Sequence, residues 1–195
     1  QALQERGGWP VRDIALRFAD YAQLVAHRFS DRVKNWITLN EPFVSAMNGH
    51  LFGDHAPGIQ DLQCAVSATH HLLLAHGLGA AAIRDGARQP VRVGITLNLS
   101  PVYPASDSPE DQQAALFADA VLNQTNLSPL LRGEYPPEVL NLIELLLPSG
   151  ALDDLSTIAA PIDFLGVNYY SRAVVKADAN VPFAGFINVA PENCP

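Results

Sequence analysis

Asn40 and Glu41 close an apolar run, Trp36-Ile37-Thr38-Leu39, and Pro42 stops it. A carboxyl group delivered by a rigid strand end and held there by proline is a positioned donor or acceptor of protons. A second apolar run, Val91 to Leu97, ends in Asn98, and a third, from Phe164, ends in Asn168-Tyr169-Tyr170. Polar residues at three successive strand ends can converge on one rim, and acid–base chemistry centred on Glu41 is what such a set can perform. The same residues have plainer uses. An Asn-Glu pair before proline can simply end a strand and cap a helix, and Tyr169 suits a core aromatic.

The elements that must position these residues alternate. Val11, Ile14, Phe18, Tyr21, Val25 and Phe29 recur every three or four positions, which predicts a helix from Val11 to Phe29 with that face buried. A strand from Val33 to Asn40 follows, then a Gly-, Pro- and His-bearing loop from Phe43 to Asp61. Next come a helix from Leu62 to Arg84, closed by Gly86 and Pro90, and a β-branched strand from Val91 to Asn98. Helices are expected from Pro109 to Leu122, with Ser108 as N-cap, and from Pro137 to Leu147. A strand from Phe164 to Tyr169 precedes an extended loop or hairpin over Ser171–Pro195. Strands separated by long helical stretches imply parallel pairing and an α/β fold, either a doubly wound sheet or a (β/α)8 barrel. Asparagines at the carboxyl ends of all three strands favour the barrel, whose catalytic face lies there. A complete barrel takes about 250 residues. With three evident strands, residues 1–195 read as a single incomplete barrel segment.

Composition narrows the classes of function. With 48% hydrophobic and 16% charged residues, the chain can bury a core. A net charge of −8 and 12 scattered basic residues argue against nucleic-acid or anionic-membrane partners. Cys64 and Cys194 lie far apart with no metal-ligand spacing, so they read as thiols of a reducing compartment. The amino terminus, Gln1 to Arg6, has no signal-like pattern, and no apolar run is long enough to span a membrane, so a cytoplasmic location is expected. His70, His71 and His76 suggest a metal cluster. None are four apart and no acidic ligand accompanies them, so they are expected to be hydrogen-bonded helix histidines, with no metal bound. His55 reads as a loop-packing residue. Gly77 to Ala82 imitates a dinucleotide fingerprint inside a helical pattern, and no cofactor is expected.

The motifs Trp36–Pro42 (WITLNEP), Gly49–Gly58 (GHLFGDHAPG), Gly94–Asn98, Pro104–Asp107 and Asp163–Tyr170 (DFLGVNYY), in this order and spacing, resemble family 1 of the glycoside hydrolases, the β-glucosidases and their relatives. The resemblance runs from Gln1 nearly to Tyr170. It implies that the three strands are the fourth, fifth and sixth of a (β/α)8 barrel, and that the mechanism is retaining, with two carboxyl groups about 5 Å apart. Glu41 then takes the place of the acid/base, and Asn40 that of a ligand to the sugar 2-hydroxyl. Asn168 lies at the end of strand six, and Tyr170 would orient the nucleophilic carboxylate. The family's nucleophile lies in a Thr-Glu-Asn-Gly motif, and no such tetrapeptide occurs here. Glu192 before Asn193 is the nearest imitation, but it lacks an apolar strand ahead of it and is rejected. The chain alone is therefore expected to be inactive.

Several positions depart from the family pattern. Phe43 stands where many members carry a tryptophan on the leaving-group side, and Asn98 with Leu99 would line that same subsite. Thr125-Asn126 replace an aromatic pair, which puts the packing of the following loop in question. The expected partner is a β-glucoside or oligosaccharide. The runner-up readings are a 6-phospho-β-glycosidase and a noncatalytic sugar-binding or assembly module. An incomplete barrel would also leave strand edges open to the remaining strands or to self-association.

Overall fold

The computed structural model describes residues 1–181 and 185–190. Helix α1 (Asp13–Phe29) leads into strand β1 (Asn35–Asn40), helix α2 (Pro42–His50), the long helix α3 (Leu62–Gly86) and strand β2 (Arg92–Asn98). A short strand β3 (Val102–Pro104) and helix α4 (Pro109–Asp119) follow. One π-helical stretch, Ala120–Gln124, connects α4 to helix α5 (Thr125–Arg132). Helices α6 (Pro137–Ile143) and α7 (Leu155–Ile158) precede strands β4 (Phe164–Asn168), β5 (Ala173–Ala177) and β6 (Phe186–Asn188). β1, β2 and β4 form a parallel sheet in that order, with Asn98 level with Asn168. A second sheet has the order β3-β5-β6, with β5 and β6 antiparallel.

The core lies between the main sheet and its helices. Ile95 and Leu97 of β2 meet Leu73 and Leu74 of α3 and Ile158 of α7, all essentially inaccessible to solvent. On the opposite side of the sheet Ile37 of β1, level with Gly94, is 55% exposed. Val167 of β4, level with Leu97 on the helix side, is also 55% exposed at the other edge of the sheet.

The face that α1 buries differs from the one its large residues predict. Ile14, Ala15, Ala22 and Ala26 are buried, whereas Tyr21 is 63% exposed and Val11 and Phe29 also face solvent. The reason is close packing against α3, where small residues let the two helices approach. A Cβ on Gly79 of α3 would stand 2.6 Å from Cε1 of Phe18. Gly77 likewise faces the Thr157 carbonyl, so the glycines of the fingerprint-like run serve helix packing.

The expected loop from Phe43 begins only after His50, because residues 42–50 are helical. Pro42 occupies the first helical turn, where its missing N–H costs nothing, and Ala46 is buried against α3 residues Ala68 and Leu72. At the other expected helix starts, the Ser108 hydroxyl accepts the Asp111 N–H at 3.2 Å and caps α4. That helix ends at Asp119, sooner than the expected Leu122, and gives way to the π stretch. Thr125 and Asn126 lie buried at the start of α5, with the Thr125 hydroxyl donating to the Ala120 carbonyl at 3.1 Å. Glu192 and Cys194 lie outside the described residues.

Candidate active site

Glu41 follows directly on β1 and is the one non-glycine among the described residues with a left-handed backbone, φ 49° and ψ 62°. For a residue with a Cβ this conformation costs about 1 kcal/mol or more, and it persists only where the surroundings over-determine it. Three constraints converge here. The Glu41 N–H donates to the Thr96 carbonyl of β2 at 2.8 Å, Pro42 fixes the first turn of α2, and the ladder between β1 and β2 changes register. Ile37 pairs with Gly94 but Asn40 pairs with Thr96, so β1 advances three residues while β2 advances two. The extra residue turns the Glu41 carboxylate across the strand ends.

The carboxylate meets its partners there. The Asn168 amide Nδ2 donates to Glu41 Oε1 at 2.6 Å and to Asn40 Oδ1 at 3.0 Å, using both of its hydrogens. The Tyr170 hydroxyl donates to the same Oε1 at 2.8 Å. Four residues from the ends of β1 and β4, Asn40, Glu41, Asn168 and Tyr170, thus form one hydrogen-bonded group. Asn168 is itself anchored, since its carbonyl accepts the Leu99 N–H at 3.1 Å. Donation to the Glu41 carboxylate, with a smaller contribution from desolvation, raises the pKa of the Tyr170 phenol above its ordinary value. Tyr170 remains 76% exposed, so its ring offers a face at the rim.

The resemblance assigns Tyr170 to a second carboxylate, whereas here its hydroxyl reaches Glu41. A phenol seeks the strongest acceptor within reach, and at this rim that acceptor is Oε1. Asn98 lies level with Asn168, but its side chain makes no hydrogen bond to the Glu41 group among the described residues, and Phe43 has no polar atom to give it. They border a neighbouring cavity of about 370 Å³, with Ser100, Asn123, Ser171 and Asn188. Asn98 Oδ1 is buried and has no hydrogen-bond partner among the described residues. Asn123 stiffens the wall by pairing with both backbone groups of Ser100, accepting at 3.1 Å and donating at 2.9 Å.

The three α3 histidines have separate partners. His70 bridges the Tyr135 hydroxyl at 2.9 Å and Asp154 at 3.0 Å, and His71 Nδ1 lies 3.0 Å from the Trp9 carbonyl. His76 Nδ1 lies 2.7 Å from the Thr38 hydroxyl. His55 is exposed, which departs from the loop-packing expectation. Its part of the loop is held by backbone bonds, with its N–H donating to the Asn48 carbonyl at 3.0 Å. No sequence pattern marks the Arg12–Asp154–His70–Tyr135 chain or the register change beside Thr38. Neither has a local signature, because their members lie 38 to 142 positions apart. No helix among the described residues is long and apolar enough to cross a membrane.

Known proteins resemble this chain in sequence and in fold. β-Glucosidase A of Thermotoga maritima is 44% identical over 182 residues, covering 93% of this chain and 41% of the relative. The 6-phospho-β-glucosidase GmuD of Bacillus subtilis is 38% identical over 184 residues, covering 93% of this chain and 39% of its own length. The solved structure of the family 1 β-glucosidase from Thermotoga maritima superposes with a TM-score of 0.92 at 43% identity, over 98% of this chain and 42% of that one. A structure of the Thermotoga maritima family 1 enzyme with a cyclophellitol analogue, a transition state mimic, gives a TM-score of 0.93. The chain therefore spans about two-fifths of the length of these relatives and has the fold of a fragment of their barrel. With the family model for glycosyl hydrolase family 1 matching residues 1–187, the chain belongs to that family.

Proposed function

We propose that residues 1–195 form strands four to six of a (β/α)8 barrel and carry the acid/base half of a retaining β-glycosidase of the β-glucosidase type. The observation that supports this best is the convergence of Asn168 Nδ2 and Tyr170 O–H on Glu41 Oε1 at 2.6 and 2.8 Å. With both donors on one oxygen, a catalytic proton would ride on Oε2. In the first step Glu41 protonates the glycosidic oxygen while a carboxylate from outside this chain attacks the anomeric carbon. In the second, Glu41 takes a proton from a water whose oxygen bonds to the anomeric carbon as the bond to the outside carboxylate breaks, which releases the sugar. Asn40 uses its Oδ1 to accept from Asn168 and keeps its own amide hydrogens for a sugar hydroxyl. Phe43 would offer a stacking face on the leaving-group side, and Asn98 an unspent acceptor beside it.

Glu41→Gln in the full-length protein should lower kcat on alkyl and glycosyl β-glucosides by about 10² to 10⁴-fold, the usual worth of a positioned general acid. Undiminished turnover would reject the assignment of Glu41, and no turnover by the unsubstituted full-length protein would favour the noncatalytic module. The 195-residue chain alone should hydrolyse no aryl β-glucoside, and turnover by it that Glu41→Gln abolishes would show that the nucleophile lies within the chain. Comparing β-glucosides with their 6-phosphates decides between the β-glucosidase and 6-phospho-β-glucosidase readings, both of which have relatives at similar identity.

A further inference from the structure

The register change that places Glu41 is held from behind by a helix residue. Between Ile37 and Asn40 the β1–β2 ladder is interrupted, and Thr38 sits in the gap. Its hydroxyl donates to the Gly94 carbonyl of β2 at 3.3 Å and meets His76 Nδ1 at 2.7 Å. A hydroxyl has one hydrogen, so if Thr38 donates to Gly94, His76 must donate from Nδ1 to the Thr38 oxygen. Fully buried His76 has no other hydrogen-bond partner among the described residues, its Nε2 being unpaired. One continuous chain of hydrogen bonds thus ties α3 through Thr38 to β2 at the irregularity that turns the Glu41 backbone into its left-handed conformation.

We infer that His76 is a positioning residue, holding Thr38 in the ladder gap and thereby setting where the Glu41 carboxyl stands. This rests on the reading of Glu41 as the proton donor. Neither His76 nor Thr38 borders the site, so they would act on the reaction only through the backbone from Thr38 to Glu41. A displacement of the order of 1 Å in a reacting group can cost about a hundredfold in rate.

Leaving groups separate this role from a purely structural one. A misplaced acid penalises substrates whose leaving group needs a proton, and spares 2,4-dinitrophenyl β-glucoside, whose phenolate departs without one. In the full-length protein, His76→Leu and Thr38→Val should each lower kcat/KM for hexyl β-glucoside by about ten- to a hundredfold, and for the dinitrophenyl substrate by less than about threefold. Thr38→Ser and His76→Asn, which restore the hydroxyl or a donor in place of Nδ1, should recover most of the loss. If His76→Leu fails to fold, Thr38→Val carries the test, since it removes the hydroxyl with almost no change of shape. Equal losses on the two substrates, or none, would overturn the inference. Glu41→Gln, run alongside, keeps the two claims apart: if it too shows no split between substrates, the acid assignment falls, and if it alone shows the split, only the role of His76 falls.

Discussion

Glu41 and Asp154 are two carboxylates held in opposite ways. Asp154 lies behind the sheet with a side chain 9% exposed, gripped by both terminal nitrogens of Arg12 and by His70 Nε2 at 3.0 Å, and His70 is held in turn by Tyr135. Burial works to raise its pKa, but the Arg12 and His70 hydrogen bonds outweigh that and hold it below the ordinary carboxylate range. Such a group has no proton to give at neutral pH. Glu41 stands on the open rim, is met by the neutral donors Asn168 and Tyr170, and sits on a strained backbone. A carboxylate clamped by a guanidinium has both oxygens engaged, whereas amide and phenol both meet Oε1 of Glu41 and leave Oε2 for the proton in the proposed role. The difference lies in the partners and the backbone, not in the residue type.

The largest effect expected behind the sheet is acid sensitivity. Burial, helped by the charge of Arg84, lowers the pKa of His76 from 6.5 to about 4. The fold therefore favours the neutral imidazole, and the stability it contributes is complete above pH 6.5 and lost as pH falls toward 4. The difference amounts to roughly 3 kcal/mol. Urea unfolding at pH 7.5 and 4.5 should show a lower midpoint in acid, with His76→Asn losing part of that dependence; a pH-independent midpoint would contradict it. Asp154→Ala comes next. Because Arg12 is half exposed and can turn to water, the cost falls mainly on buried His70 and Tyr135, about 2 kcal/mol. Glu41→Gln should change stability by less than about 0.5 kcal/mol. A reversal of these two stabilities would break the contrast between the carboxylates.

Relief of backbone strain should be smaller and of opposite sign. Glu41→Gly removes the left-handed penalty and should raise unfolding stability by about 1 kcal/mol while abolishing turnover. Loss of both activity and stability would mean the carboxylate's hydrogen bonds outweigh the strain. The smallest effect is spectroscopic. The Tyr170 phenol should titrate above its ordinary value of 10.0, and Glu41→Gln should return it toward that value, followed by tyrosinate absorbance. If the second carboxylate claims the hydroxyl in the full-length protein, the substitution will leave the titration unmoved.

Much of this was readable locally. The strand cores Arg92–Asn98 and Phe164–Asn168 are runs of apolar and β-branched residues, and their ends are marked by asparagine, so the strands, their order and Glu41 itself follow from neighbours in sequence. The helix at Pro42–His50 was hidden because Gly49 and His50 read as loop residues, and its alignment is decided by Ala46 meeting α3. The buried face of α1 went to alanines instead of the larger residues because helix separation, a tertiary quantity, rewards small side chains. The three-residue strands β3 and β6 of the second sheet are too short for any periodicity, and only pairing with β5, across about 70 positions for β3, makes them strands.

Sequence by itself determined which residues lie at the ends of the parallel strands, because apolar periodicity and proline act within a few positions along the chain. Only the tertiary structure decided where their side chains meet: the register change at Thr38, the left-handed turn at Glu41 and the choice of Tyr170 for Glu41 Oε1. Those depend on hydrogen bonds between residues 38 to 129 positions apart, and a donor finds its acceptor by distance in space, which no local pattern encodes.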